Sequence, residues 1–196
     1  MAPPNLPLGA ILAGGTSRRM GRDKAFIELN GKPMFSHVVS ILTAAGCEPV
    51  IIGRGDIDDV AFADDDEPGR RGPASGLATA MRLAEGRDVV LVAIDQPLLR
   101  PETVRALLSL DGDAVVPVAA GVRQATCAVY RRSCREVLTG LLATTDSPPL
   151  QRLLDRVSTR DVGVDEWSTW GEGGESWWSL DTGADVREAR RWLADP

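Results

Sequence analysis

Leu8-Gly9-Ala10-Ile11-Leu12 runs without interruption into Ala13-Gly14-Gly15-Thr16-Ser17-Arg18-Arg19-Met20-Gly21-Arg22-Asp23-Lys24. The apolar run reads as a buried strand, Leu8–Ala13, that ends in a glycine-rich loop. Gly14 and Gly15 leave room for close backbone approach and exposed N–H donors. Thr16 and Ser17 add short hydroxyls, and Arg18, Arg19 and Lys24 add fixed positive charge within a few residues. Donors and cations at that density suit a triphosphate. The plainer reading of the same residues is a basic surface turn between a strand and a helix.

Outward from this loop, strands and helices alternate. Met34–Ala45 reads as a helix opened by Pro33 and closed by Gly46, followed by a short strand at Val50–Ile52. Asp56–Arg71, rich in Asp, Gly and Arg, reads as irregular. Ala74–Ala84 is helical, and Val89–Ile94 is a continuous apolar run suited to the middle of a parallel sheet. Helices follow at Pro101–Leu110 and Cys134–Leu142, with strands at Ala114–Val118 and Ala125–Tyr130. A short helix at Leu150–Val157, a strand at Asp161–Val164 and a closing helix at Ala184–Leu193 complete the chain. Repeated strand–helix units predict a three-layer α/β/α arrangement with a mainly parallel sheet. All 196 residues read as one domain, with residues 1–7 a flexible N-terminus and 166–175 a surface loop.

Composition narrows the function classes. A net charge of −6 argues against general nucleic-acid binding, although positive charge is concentrated locally at 18–24. The N-terminal residues lack a basic region followed by an apolar one, and no apolar stretch is long enough to span a bilayer, so the expectation is a cytoplasmic protein with no membrane partner. Cys47, Cys127 and Cys134 are odd in number and show no paired spacing, which suggests neither a disulfide framework nor a zinc knuckle. His37 is the only histidine and falls inside a helix, where a structural role is expected. The five tryptophans, Trp167, Trp170, Trp177, Trp178 and Trp192, cluster near the C-terminus and read as packing or contact residues.

Two familiar phosphate loops do not fit. A Walker A loop needs Gly-Lys followed by Ser or Thr, whereas Gly31-Lys32 is followed by Pro33. Gly14-Gly15 also lacks the dinucleotide spacing Gly-x-Gly-x-x-Gly. In an open α/β sheet, ligands bind beyond the carboxyl ends of the strands. Loop 14–24 follows the first strand and Asp95 ends the strand at Val89–Ile94. If those strands are neighbours, one site contains both. A carboxylate there suits Mg²⁺, which also takes nucleotide oxygens and waters; alone, Asp95 could equally cap a turn.

Leu12-Ala-Gly-Gly-x-Ser-x-Arg19-Met-Gly21-x-Asp-Lys24 resembles the signature of the nucleotidyltransferases related to molybdenum cofactor guanylyltransferase. Asn30-Gly-Lys-Pro33, Gly72-Pro-Ala-Ser-Gly76, Ile94-Asp-Gln-Pro97 and Trp178-Ser-Leu-Asp-Thr182 resemble further segments of that family, in the same order. The match spans almost the whole chain and is weakest over 110–175. The resemblance implies a Rossmann-like nucleotidyltransferase domain that transfers GMP from GTP to the terminal phosphate of molybdopterin, with Mg²⁺ as cofactor. A molybdoenzyme or its chaperone is a candidate protein partner.

It also implies residue roles. Leu12, Ala13, Gly14, Gly15, Thr16, Ser17, Arg19, Lys24, Asp65, Gly76 and Asp95 would bind nucleotide. Arg19, Lys24 and Asp95 would be catalytic, and Asp95 with Asp181 would hold the metal. Asp65 stands between Asp64 and Asp66, and a slip of one residue changes the choice. The sequence departs from the family at Gly183, where proline is usual, and at Gln124-Ala125, where His-Pro is common. Asp181 reads equally as a cap for the closing helix. Ser147-Pro148-Pro149 replaces a basic residue, which leaves Arg152 or Arg123 as candidates for the acceptor phosphate. Alternative readings are a cytidylyltransferase for the same pterin, a sugar-phosphate nucleotidyltransferase, and a non-catalytic nucleotide-binding module that delivers cofactor.

Overall fold

The computed structural model of the protein describes residues 6–13, 23–55, 57, 60–63 and 72–194. In chain order these contain β1 (Leu8–Leu12), a 3₁₀ turn at Lys24–Phe26, β2 (Glu28–Leu29), β3 (Lys32–Pro33), α1 (Met34–Ala44), β4 (Glu48–Ile52) and β5 (Phe62–Ala63). There follow α2 (Pro73–Leu83), β6 (Val89–Ala93), α3 (Pro101–Ser109), β7 (Ala114–Ala119), β8 (Val122–Arg123), β9 (Cys127–Tyr130) and α4 (Cys134–Thr144). Last come α5 (Gln151–Leu154), β10 (Thr159–Val162), α6 (Val164–Trp167) and α7 (Gly183–Ala194).

The main sheet has the order β10-β7-β9-β6-β1-β4-β5, with β8 paired to β7, while β2 and β3 form a separate hairpin. β1 lies parallel between β4 and β6, with Leu12 level with Ile52 on one side and Ala93 on the other. Alternate residues of each strand enter opposite cores, as a period of two requires. Leu8, Ala10, Val50, Ile52, Val89 and Leu91 meet α2 and α4 on one face. Ile11, Ile51, Val90 and Val92 meet α1 and α3 on the other. Because both faces are covered, the central strands read as unbroken apolar runs. A third cluster joins Leu29 and Met34 to Leu98, Leu180, Val186 and Ala189, and so packs α7 against the β2–β3 hairpin.

The sheet is mainly parallel, as expected, and is made mixed by β9 and the short β8, which run against the other strands. β9 runs antiparallel to both β6 and β7. Too few residues separate β7 from β9 for a parallel crossover, which needs a dozen or more. The chain reverses instead at Ala120-Gly121, both with positive φ (49° and 75°), and β8 folds back on β7 before β9 begins.

The expected surface loop at 166–175 is also different. Trp167 closes α6, Ser168–Trp170 forms a 3₁₀ turn, and Glu172 is 3% exposed. Trp167 and Trp177 are buried edge to face, with ring centroids 6.2 Å apart. A Gly- and Glu-rich composition concealed this because one carboxylate in the segment is satisfied by internal donors.

The expectation of a structural His37 is met. His37 Nε2 pairs with the Leu29 carbonyl at 2.9 Å and ties α1 to β2. The three cysteines are free and buried. Burial pushes Cys47 up to about 11 and Cys134 up to about 12, which keeps both as thiols at neutral pH. Among the described residues, no helix is long and apolar enough to cross a membrane.

The turn into α2 depends on Gly72, whose φ of 130° is a conformation nearly restricted to glycine. A Cβ there would also lie 2.7 Å from Ser147 Oγ. Gly72→Ala is expected to cost about 1–3 kcal/mol, read as a lowered urea midpoint with an unchanged slope.

Candidate active site

The parallel pairing of β1 with β6 places their carboxyl ends side by side, as the sequence reading required. The ladder continues one step beyond the strands, with Ile94 N donating to Leu12 O at 3.1 Å. On the other side Ala13 N donates to Ile52 O at 3.1 Å. Leu12 and Ala13 therefore stand at the end of the central strand. Gly76, in the first turns of α2, lies against them: a Cβ at Gly76 would fall 2.4 Å from Leu12 Cδ2. The lack of a side chain at 76 lets α2 approach the strand end closely.

Gly14, Gly15, Thr16, Ser17 and Arg19, and Asp65 with its neighbours Asp64 and Asp66, lie outside the described residues. Lys24 is the first described candidate after the loop that is charged. It opens a 3₁₀ turn capped by Asp23, whose Oδ1 accepts from Ala25 N at 3.0 Å. Asp23 is in turn paired with Arg54 at 2.7 Å. Arg54 follows β4, and its guanidinium sits 5.1 Å from the Phe26 ring centroid. The sequence reading gave Arg54 no role. Its signal was its position just beyond the carboxyl end of the strand adjacent to β1.

Asp95 is held by the turn that ends β6. Gln96 N donates to Ala93 O at 3.1 Å, and Gln96 Oε1 accepts from Ala93 N at 3.3 Å. Gln96 is itself buried, and its side-chain oxygen shares the Ala93 N–H with Thr126 O, which accepts from it at 2.9 Å. Asp95 O accepts from Leu180 N at 2.9 Å, which brings the C-terminal segment across the strand ends.

Lys24, Asp95 and Asp181 converge there. Lys24 Nζ donates to Asp95 Oδ2 at 2.8 Å and to Asp181 Oδ1 at 2.6 Å. Burial alone would lower the Lys24 pKa, but the hydrogen bonds to Asp181 and Asp95, with their charges, outweigh it and hold it above 10.5.

Asp181 is not the cap of α7. Thr182 takes that position, with Oγ1 accepting from Asp185 N at 3.2 Å, and Asp185 Oδ2 accepts from Thr182 N at 2.7 Å. This is a reciprocal capping box with Asp in place of the usual Glu. The same oxygen accepts from Asp181 N at 3.0 Å, which leaves the Asp181 carboxylate directed at Lys24. Arg123, suggested for the acceptor phosphate, is engaged by two carboxylates. It donates through Nε and Nη2 to Asp161, both at 2.8 Å, and through Nη1 to Asp155 at 2.8 Å. Arg152 lies exposed on α5.

The donor set suits Mg²⁺ rather than a caged structural metal. Among the described residues, no group of three or more His, Cys, Asp or Glu side chains could hold an ion. Two carboxylates instead converge on one cationic centre, now the Lys24 ammonium. Mg²⁺ commonly takes one or two carboxylates and completes its shell with phosphate oxygens and waters.

Residues 9–161 match the family model described as the MobA-like NTP transferase domain, and the chain belongs to that family. It is a nucleotidyltransferase. A probable molybdenum cofactor guanylyltransferase from Bacillus licheniformis is 37% identical over 166 residues, covering 79% of this chain and 83% of the relative. The molybdenum cofactor guanylyltransferase of Rhizobium johnstonii is 27% identical over 192 residues, covering 94% and 92%. The crystal structure of molybdopterin-guanine dinucleotide biosynthesis protein A from Archaeoglobus fulgidus superposes with a TM-score of 0.81 at 22% identity. That match covers 96% of this chain and 99% of the other. The sequence resemblance and the fold class it implied are thus shown at family level.

The Lys24 cluster makes a direct prediction. The part of its stabilisation that comes from the raised lysine pKa is present below pH 10.5 and is lost as pH rises through the folded value. Lys24 and Lys32 are the only lysines in the sequence. In protein labelled with ¹⁵N-lysine, the Lys24 Nζ resonance should titrate above 10.5 and move down in Asp181→Asn. An unchanged midpoint in that variant would show that the ion pair does not persist in solution.

Proposed function

We propose that this nucleotidyltransferase transfers GMP from GTP to the terminal phosphate of molybdenum-bound molybdopterin, releasing pyrophosphate and forming a guanine dinucleotide cofactor. The observation that carries this reading is the convergence of Lys24, Asp95 and Asp181 at the shared carboxyl end of β1 and β6. The guanylyltransferase descriptions of the relatives support the choice of GTP and of the pterin acceptor.

Nucleotidyl transfer needs the α-phosphorus oriented, its equatorial charge neutralised and the leaving pyrophosphate stabilised. Backbone donors of Gly14, Gly15, Thr16 and Ser17, together with Arg19 and Lys24, would carry the β- and γ-phosphates. Lys24 is suited to this because it meets two carboxylates in the free protein and can exchange one partner for a phosphate oxygen. Asp95 and Asp181 would hold Mg²⁺. When bound, that ion supplies Lewis-acid polarisation of the phosphoryl oxygens. Leu12, Ala13 and Gly76 would pack against the nucleoside, with Asp65 contacting it from the preceding loop.

The acceptor phosphate attacks the α-phosphorus in line, forming the new P–O bond as the α–β bridging bond breaks and its electron pair leaves with pyrophosphate. A phosphate monoester is largely ionised near neutrality, so no protein base has to remove a proton. Positioning and fixed charge then supply most of the acceleration.

Calorimetric titration with GTP, CTP, ATP and UTP, each with and without Mg²⁺, tests the base and metal assignments. Selective binding of GTP, tightened by Mg²⁺, is the expected result. A preference for CTP would make the chain a cytidylyltransferase, and no binding by the folded protein would remove the nucleotide reading. Asp95→Asn should lower pyrophosphate release by on the order of 10²-fold while the circular dichroism spectrum is unchanged. Wild-type turnover in that variant would exclude Asp95 from the chemistry.

A further inference from the structure

Glu172 is a buried carboxylate that the mechanism above leaves unused. It is 3% exposed and lies nine residues before Asp181 in sequence. Its Oε2 accepts from Thr103 Oγ1 at 2.7 Å and from Ser176 Oγ at 2.5 Å. Its Oε1 accepts from Gly174 N at 3.0 Å and from Ser176 N at 3.4 Å. Burial works against the ionised form, but the hydrogen bonds from Ser176 and Thr103, then those from the Gly174 and Ser176 amides, hold the carboxyl below 4.5. An unpaired carboxylate in this place would be strongly unfavourable. If the segment needed only to be packed, an apolar residue would serve as well. Four converging donors instead make a specific clamp.

The clamp fastens the C-terminal strap to the start of α3. Thr103 belongs to α3, Ser176 Oγ also accepts from Arg100 N at 3.2 Å, and Arg100 Nη1 donates to Gly171 O. From there the strap runs through buried Trp177 and fully buried Leu180, whose N–H donates to Asp95 O, to Asp181. Asp181 itself is more than half exposed, so its own packing does not orient it. Its carboxylate is placed by the backbone that reaches it from Leu180 and leaves it into the Thr182 cap.

We propose that Glu172 is a positioning residue for the reaction: by tying residues 171–178 to α3 it holds Asp181 at the centre formed with Lys24 and Asp95. The inference rests on the role given to Asp181 under Proposed function. Glu172 touches none of the reacting groups, and its effect is transmitted through the strap alone.

A double-mutant cycle tests this with the full chain. Calorimetry measures GTP affinity with and without Mg²⁺ for wild type, Glu172→Ala, Glu172→Gln, Asp181→Asn and Glu172→Ala/Asp181→Asn. Glu172→Ala is expected to reduce the Mg²⁺-dependent gain in affinity about tenfold, the size typical for loss of support behind a metal ligand. Metal-free GTP binding should stay at the wild-type level. Adding Glu172→Ala to Asp181→Asn should cost nothing further. Glu172→Gln should recover most of the loss, because the Thr103 and Ser176 hydroxyls can turn to accept from its amide.

Additive losses in the double variant would overturn the proposal. So would a lowered melting temperature in Glu172→Ala with the Mg²⁺ gain intact, or wild-type behaviour throughout. If Glu172→Ala does not fold, Thr103→Val, which removes one donor from the clamp, replaces it in the same cycle. Should Asp181→Asn alone leave the Mg²⁺ gain untouched, the reading of Asp181 fails first and the positioning role fails with it, a pattern distinct from additivity.

Discussion

The Lys24 ammonium is bound to two carboxylates that lie 71 and 157 residues further along the chain. The charge balance of the strand ends depends on it. Asp95 and Asp181 converge closely enough to share one amino group, and without a cation between them their mutual repulsion would drive the strap away from β6. Exposed ion pairs contribute little, at about 0–1 kcal/mol each. This one differs because the Lys24 side chain is only 15% exposed and serves two partners. The Leu180–Asp95 backbone bond and the buried Leu180 side chain support the same closure, so the charge cluster and the third apolar cluster reinforce each other.

Much of the fold could be read from sequence because the central strands are buried on both faces. Leu8–Leu12 and Val89–Ala93 have no polar face to disguise them, and their helices begin at prolines, as α2 and α3 do. The antiparallel β9 was harder to foresee. Its reversal uses Ala120 at φ 49°, a conformation more often given to Gly or Asn. Gly121 alone does not specify a hairpin, so the 114–130 region reads as two strands of unspecified direction.

Site residues divide in the same way. Lys24 and Asp95 could be placed together from sequence because they follow two apolar strands whose carboxyl ends meet if the strands are neighbours, as they are. Asp181 was ambiguous until the Thr182–Asp185 box accounted for the helix cap. Thr and Asp three apart before a helix is itself a readable signal. Glu172 was not legible, since a charged residue among glycines normally marks a solvated loop. Its donors come partly from Thr103 on a different helix, and no local pattern announces such a partner. Arg54 escaped notice for a related reason: its partner Asp23 is 31 residues away and Phe26 almost as far.

The central strand precedes the strap by a long stretch of chain, with 157 residues between Lys24 and Asp181, and this sets an order of events on the ribosome. β1 emerges as a bare apolar segment and gains its β6 edge only when residues near Ala93 have been made. Asp181 leaves the exit tunnel 157 residues after Lys24. A nascent chain can therefore complete most of its sheet while Lys24 still lacks one of its two partners. A product that stops before the strap would still hold its sheet but leave Lys24 with a single carboxylate partner.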